Sequence, residues 1–234
     1  SGGAFDVSAN DDNSKIILAR KNDGESFGYG AITPIMTGPV LVEGFDTDIN
    51  NWSLSTYYSN CFTRWDWQHG GSMWHSGNSG GGLRSTYAVW DIGLSGNFDV
   101  ELDFINTSLL SGPTRSSQYF AYLKPVHEAA PGSDYLRIIS SDTGNALQHG
   151  LVVGGSSVSN NITGTPVWTG KFRFTRSGDV YNSYHDLGSG WVLGNTYNHS
   201  GWDTLYLMSG VNSNRSQIFT YIKSVTVNTG TIVQ

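Results

Sequence analysis

The chain has 234 residues, of which only 14% are charged, 13% are aromatic and 30 are glycine. Its 13 Lys and Arg against 19 Asp and Glu leave a formal net charge of −6, and the basic residues are scattered. The basic surface that nucleic acid requires is therefore missing, and no apolar run reaches the roughly 18 residues of a membrane-spanning helix.

That length suits one large all-β domain with a sizeable core. Charged amphipathic helices find little support in so few charges. Ser1-Gly2-Gly3 begins no basic-then-apolar stretch, so no leader is expected at this end of the sequence. Cys61 is the single cysteine, which excludes an internal disulfide and reads as a buried reduced thiol.

In chain order, residues 1–38 differ from the rest. Residues 8–14 are polar and rich in Asn and Asp, a strand is expected at 15–20, and 28–38 read as a loop. This segment reads as an N-terminal arm or hairpin that covers a sheet edge or pairs with a second copy, giving a homo-oligomer. The main domain is expected over 39–234, with strands at 82–90, 118–124, 134–140, 147–153, 204–209 and 219–228.

Phe98, Val100, Leu102 and Phe104 alternate with Asp99, Glu101 and Asp103, which is the period of a half-buried strand. Lys171 to Arg176 repeats that period, Ser177-Gly178-Asp179 makes a hairpin turn, and Val180 to His185 returns. Asp186-Leu187-Gly188-Ser189-Gly190 is a second turn, before Trp191-Val192-Leu193. Many short strands separated by Gly, Asn and Ser turns predict an antiparallel sandwich or barrel.

Val42 to Asp46 followed by Asn51-Trp52 resembles the opening strand of concanavalin A-like lectin/glucanase domains, and Phe98 to Phe104 is similar to a central strand of those domains. The hairpin from Lys171 through Tyr184 to Gly190-Trp191 resembles the laminin-G-like branch. The likeness covers residues 40–230 and implies an all-β, two-sheet antiparallel jelly-roll sandwich. It also implies a ligand site on the concave face or a rim loop, with sugar-binding modules, glycan-cleaving enzymes and virion or fibre parts as functional classes.

A ligand site is expected around Trp65, Asp66 and Trp67, and at Trp74 beside His75 inside a glycine-rich loop, with Tyr57 and Tyr58 as further candidates. Sugars stack on aromatic rings while polar side chains bond their hydroxyls. The competing reading of paired Trp at period two is core, and Trp90, Trp168, Trp191 and Trp202 are assigned to it. Asp46, Asp48 and Asn50 place three oxygen ligands at alternate positions, a spacing a Ca²⁺ ion accepts, although a plain Asx turn accounts for it too.

Catalysis has weaker support. The glucanase members of the resembled group use a Glu-x-Asp-x-x-Glu strand, and the matching stretch here ends in Asn106 after Glu101 and Asp103. An amide cannot serve as general acid. A lyase set could draw on Gln148, His149, Tyr181, Tyr184 and Tyr197, with His149 alternatively a strand-end residue. The expectation is a non-catalytic glycan-binding module, secreted or surface-displayed, needing no cofactor. A virion or fibre assembly domain is the alternative, and a polysaccharide lyase or hydrolase the second.

Overall fold

The computed structural model describes residues 39–45, 48–49, 51–56, 62–65, 71–77, 83–108, 116–130, 132–141, 147–163, 169–214 and 218–233. The expected arm at 1–38 and its strand at 15–20 lie outside them. The described elements are β1 (Leu41–Glu43), β2 (Trp52–Thr56), β3 (Phe62–Trp65), β4 (Met73–Gly77), β5 (Leu83–Ser108), β6 (Ser116–Lys124) and β7 (Tyr135–Ser141). They continue with β8 (Leu147–Val153), β9 (Ser156–Thr163), β10 (Thr169–Ser177), β11 (Val180–Asp186), β12 (Val192–Asn198), β13 (Thr204–Asn214) and β14 (Ile218–Val233). None of the described residues is helical.

The apolar runs at 82–90 and 98–104, expected as separate strands, are one strand of 26 residues, β5. Gly96, at φ 64°, supplies a left-handed position between them. The first half of β5 pairs antiparallel with β2 and β13. From β13 the sheet continues through β6, β7, β8 and β9. The second half pairs with β10 and β14; β11 and β12 follow β10, while β1, β4 and β3 follow β14. One strand therefore contributes to two layers, sheet A (β2-β5-β13-β6-β7-β8-β9) and sheet B (β12-β11-β10-β5-β14 with β1, β4 and β3).

Period-two alternation fills the space between the layers. Phe104 and Phe172 of sheet B meet Tyr119 of sheet A, with ring centroids 4.4 Å (Phe104–Phe172) and 4.7 Å (Phe104–Tyr119) apart. Trp90 is fully buried and stacks on Trp52 at 5.8 Å. Burial of such rings supplies about 1.5–3 kcal/mol each. The β10–β11 turn carries Gly178 at φ 59°, and the Asp186 carboxylate accepts the N–H groups of Gly188 (2.8 Å) and Gly190 (2.9 Å), closing the turn read from the sequence.

Two polar clusters sit inside the sandwich. The His75 ring contacts the Thr63 hydroxyl (2.7 Å) through Nδ1 and the Ser209 hydroxyl (3.1 Å) through Nε2. His149, on β8, reaches across to sheet B, where Nδ1 is 2.7 Å from Ser183 Oγ and Nε2 is 3.2 Å from His185 Nδ1. Its ring packs against Gly194 of β12, where a side chain would have no room. Burial lowers all three histidines, His75 and His149 to about 3, so they are neutral in the folded protein.

A histidine with a lowered folded pKa contributes stability that is complete above its unfolded value and lost as pH falls toward the folded one. At pH 5, His75 and His149 each cost about 2 kcal/mol relative to neutral pH. The urea midpoint is therefore expected to fall steeply between pH 7 and pH 5. A midpoint that stays flat over that window contradicts neutral burial.

Candidate functional site

Sheet A buries one face against the core, yet its other face carries an apolar cluster of its own. Tyr87, Val89, Phe120, Tyr122, Ile139 and Met208 form it, with Ala129, Tyr135 and Tyr206 packed against it. Alternation explains the segregation. In β6, Tyr119, Ala121 and Leu123 point to the main core, while Phe120 and Tyr122 point away. Gly210 lies beneath Phe120: a Cβ there would be 2.6 Å from the ring and closer still to the Thr86 carbonyl oxygen.

Cross-strand register orders this face into rows. One row reads Tyr87, Gly210, Phe120, Ile139, Gln148 and Asn161 from β5 to β9. The adjacent row reads Val89, Met208, Tyr122, Arg137, Gly150 and Ser159. The apolar half thus gives way to polar groups toward β9. Tyr135 stacks on Tyr122 at 4.5 Å with the rings 5° apart, and it remains half-exposed where Tyr122 is buried. Burial pushes the Tyr122 hydroxyl above its usual range, so it stays protonated.

Arg137 occupies the boundary. Its Nη2 donates to Gln148 Oε1 (2.7 Å) and to Ser157 Oγ (3.4 Å), and its guanidinium lies 6.0 Å from the Tyr135 ring centre. The side chain crosses over Gly150, where a Cβ would stand 2.8 Å from Arg137 Nε. Gln148 in turn donates to Asn161 Oδ1 at 2.8 Å. Asp134, immediately before Tyr135, accepts the Gly154 N–H (2.7 Å) and the Ser133 hydroxyl (2.8 Å), which holds its carboxyl below the usual range and ties the start of β7 to the β8–β9 turn.

At the other end, the segment after β6 is tied down. The buried Lys124 ammonium donates to the carbonyls of Glu128 (3.0 Å) and Ala130 and faces the Glu128 carboxylate at 3.4 Å. His127 Nε2 is 2.8 Å from Asp91 Oδ1 and its ring meets Tyr206 edge-on at 5.0 Å. Ala129, on this segment, is thereby held against the aromatic cluster.

Sheet B presents a different outward face. Arg173 donates from Nε (2.8 Å) and Nη2 (2.5 Å) to the two oxygens of Asp99, with Glu101 Oε1 at 3.8 Å. Tyr184 and Trp191 flank the same guanidinium at 5.6 and 5.4 Å. Trp191, assigned to the core from the sequence, is half-buried on this surface because it precedes β12 rather than alternating within it. Trp90 and Trp202 are buried as expected.

The described residues among those singled out in the sequence are dispersed. His75 is fully buried: Met73–Gly77 is a strand, not a glycine-rich loop, so alternation sends His75 inward and Trp74 outward. Trp74 stacks on Tyr221 at 5.8 Å on the outer side of sheet B. Trp65 packs against the main core and donates its indole N–H to the Phe45 carbonyl at 2.7 Å. Tyr57, Tyr58, Cys61, Asp66, Trp67 and Trp168 lie outside the described residues. So do Asp46 and Asn50, while Asp48 is exposed; among the described residues, no group of three or more His, Cys, Asp or Glu is gathered to hold a metal.

Neither catalytic set assembles. Glu101 and Asp103 face outward on sheet B, whereas Asn106 points inward and accepts a hydrogen bond from Thr220 at 2.7 Å. Gln148 and His149 occupy opposite faces of β8, so His149 is an interior residue rather than a strand-end one. Tyr181 and Tyr197 are buried, and Tyr184 stands on sheet B's outer face. Tyr122, Tyr135 and Arg137 were missed. Their signal was the alternation Tyr135-Leu136-Arg137-Ile138, which places an aromatic ring and a cation on one face.

No protein-family model matches the sequence, and no curated protein sequence matches it either. Solved structures do. The potassium-bound carbohydrate recognition domain of Emp46p aligns with TM-score 0.53 and 12% identity over 77% of this chain and 89% of its own. A pseudo beta-1,3-glucanase and immunostimulatory antigen of Mycobacterium tuberculosis gives 0.55 and 11% over 83% and 99%. A structure associated with endo-acting O-glycanases of the human gut microbiota, which initiate mucin breakdown, gives 0.56 and 12% over 81% and 98%. With the all-β sandwich described above, these similarities show that the chain has the concanavalin A-like jelly-roll fold.

The two glycines on the outer face of sheet A separate packing from positioning. Gly210→Ala meets backbone and is expected to destabilise by about 1–3 kcal/mol. Gly150→Ala meets chiefly the Arg137 side chain, which can be displaced without moving backbone, and is expected to leave the melting temperature nearly unchanged. Equal losses in thermal melts of the two variants would contradict the geometry.

Proposed function

We propose that the protein is a non-catalytic glycan-binding module whose ligand lies on the outer face of sheet A, over β6 to β9. The observation that carries this reading is the juxtaposition of the half-exposed Tyr135 ring, backed by Tyr122, with Arg137, Gln148, Ser157 and Asn161. A sugar ring presents one apolar face and a rim of hydroxyls, so a stacking platform beside amide, hydroxyl and guanidinium groups is complementary to it.

The carbohydrate recognition domain and glycanase among the similar structures support the same chemistry. A non-catalytic role is supported by the absence of Asp and Glu from β6, β7, β8 and β9, so these strands offer no carboxylate pair for glycoside hydrolysis. We infer that the module acts where it is secreted or surface-displayed.

A glycan-array screen of the full chain, with and without calcium, tests the proposal. Binding is expected to be lost in Tyr135→Ala and kept in Trp74→Ala, since Trp74 belongs to the other sheet. Loss in Trp74→Ala with retention in Tyr135→Ala would move the site to the Trp74–Tyr221 stack.

A further inference from the structure

The two outward faces treat their central arginines differently. On sheet B, Arg173 has aromatic neighbours and a two-pronged bond to the Asp99 carboxylate. On sheet A, Arg137 has aromatic neighbours too, but its polar partners are the Gln148 amide oxygen and the hydroxyls of Ser157 and Tyr122, all neutral. Its Nε finds no hydrogen-bond partner. No Asp or Glu occurs on β6, β7, β8 or β9, so the strands around it supply no counter-charge. The side chain nonetheless crosses over Gly150, and its guanidinium is held by Gln148, which is itself held by Asn161.

A fixed guanidinium beside a stacking ring, on a chain of net charge −6, is selective rather than broadly anion-attracting. Guanidinium and carboxylate are matched in planar geometry. We propose that this face recognises an acidic glycan, with the carboxylate of a uronic or sialic acid residue docking on Arg137 while a sugar ring stacks on Tyr135. This rests on the glycan-binding reading above and specifies its ligand class. Gly150 is the positioning residue: its missing side chain lets the guanidinium lie where the acid arrives.

Calorimetric titration of the full chain with oligogalacturonate, its methyl ester, sialyllactose, a sulfated heparin hexasaccharide and neutral laminarihexaose tests the proposal. At least one carboxylated probe is expected to bind roughly 10-fold or more tighter than the neutral ones. Arg137→Met is expected to weaken that binding roughly 10- to 100-fold. Gly150→Ala, which keeps the charge but displaces the guanidinium, is expected to weaken it too, with circular dichroism unchanged, and Trp74→Ala to leave it intact.

Equal affinity for oligogalacturonate and its methyl ester without a preference for sialyllactose, or unchanged binding in Arg137→Met, overturns the proposal. Binding of the sulfated probe alone overturns the carboxylate assignment. If neutral sugars bind and Tyr135→Ala alone abolishes it, the glycan-binding face stands and the acidic ligand falls. No binding by any probe removes both.

Discussion

Everything in this fold depends on β5 serving two sheets at once. Its first half carries Thr86, Ala88 and Trp90 inward, and its second half carries Phe98, Val100, Leu102 and Phe104 inward. Because the side-chain period is two, a slip of one residue would turn the core set of a half outward. Gly96 lies between the halves. Antiparallel partners on both edges of each half then fix where β13, β6 and β7 lie on one side and β10, β11 and β14 on the other. The candidate site lies further along the same sheet, where the β6–β7 and β7–β8 registers put Tyr122, Arg137 and Gly150 in one row.

The sandwich is closed by polar as well as apolar contacts. The Ser183–His149–His185 chain links β8 to β11, and Asn160 of the edge strand β9 donates to the Gly194 carbonyl of β12 at 3.0 Å. Buried polar groups with partners impose one alignment of the layers, while an unpaired one would be costly. The same alignment places the polar end of the outer face, on β8 and β9, beside the ring of Tyr135. Sheet B neutralises its outward arginine internally. Sheet A leaves its own with neutral partners, and that asymmetry separates a structural surface from a recognition surface.

Much of the fold was legible because alternation is a local signal. Phe98 to Phe104, Lys171 to Arg176 and the Gly178 and Gly188–Gly190 turns needed no tertiary information. β9 was not legible: Ser156–Thr163 is an edge strand with only Val158 and Ile162 apolar, and its pairing comes from β8 rather than from burial. β4 was misread because Trp74-His75 next to a glycine-rich stretch looks like a loop, although pairing with β14 makes it a strand. The site was legible only in pieces. Tyr122, Arg137 and Gly150 are 15 and 13 residues apart in sequence, and only register makes them neighbours. A run of tryptophans draws attention in a sequence, but in this protein the described ones chiefly pack.

The most direct test of the outer face of sheet A as the ligand surface is amide hydrogen exchange of the full chain, with and without the strongest-binding oligosaccharide from an array. The ligand is expected to increase protection over β7, β8 and β9 and the turn at Gly154-Gly155, leaving β4, β11 and β14 unchanged. Protection confined to β4 and β14, or to the β11–β12 turn, would contradict the assignment and place the ligand on sheet B.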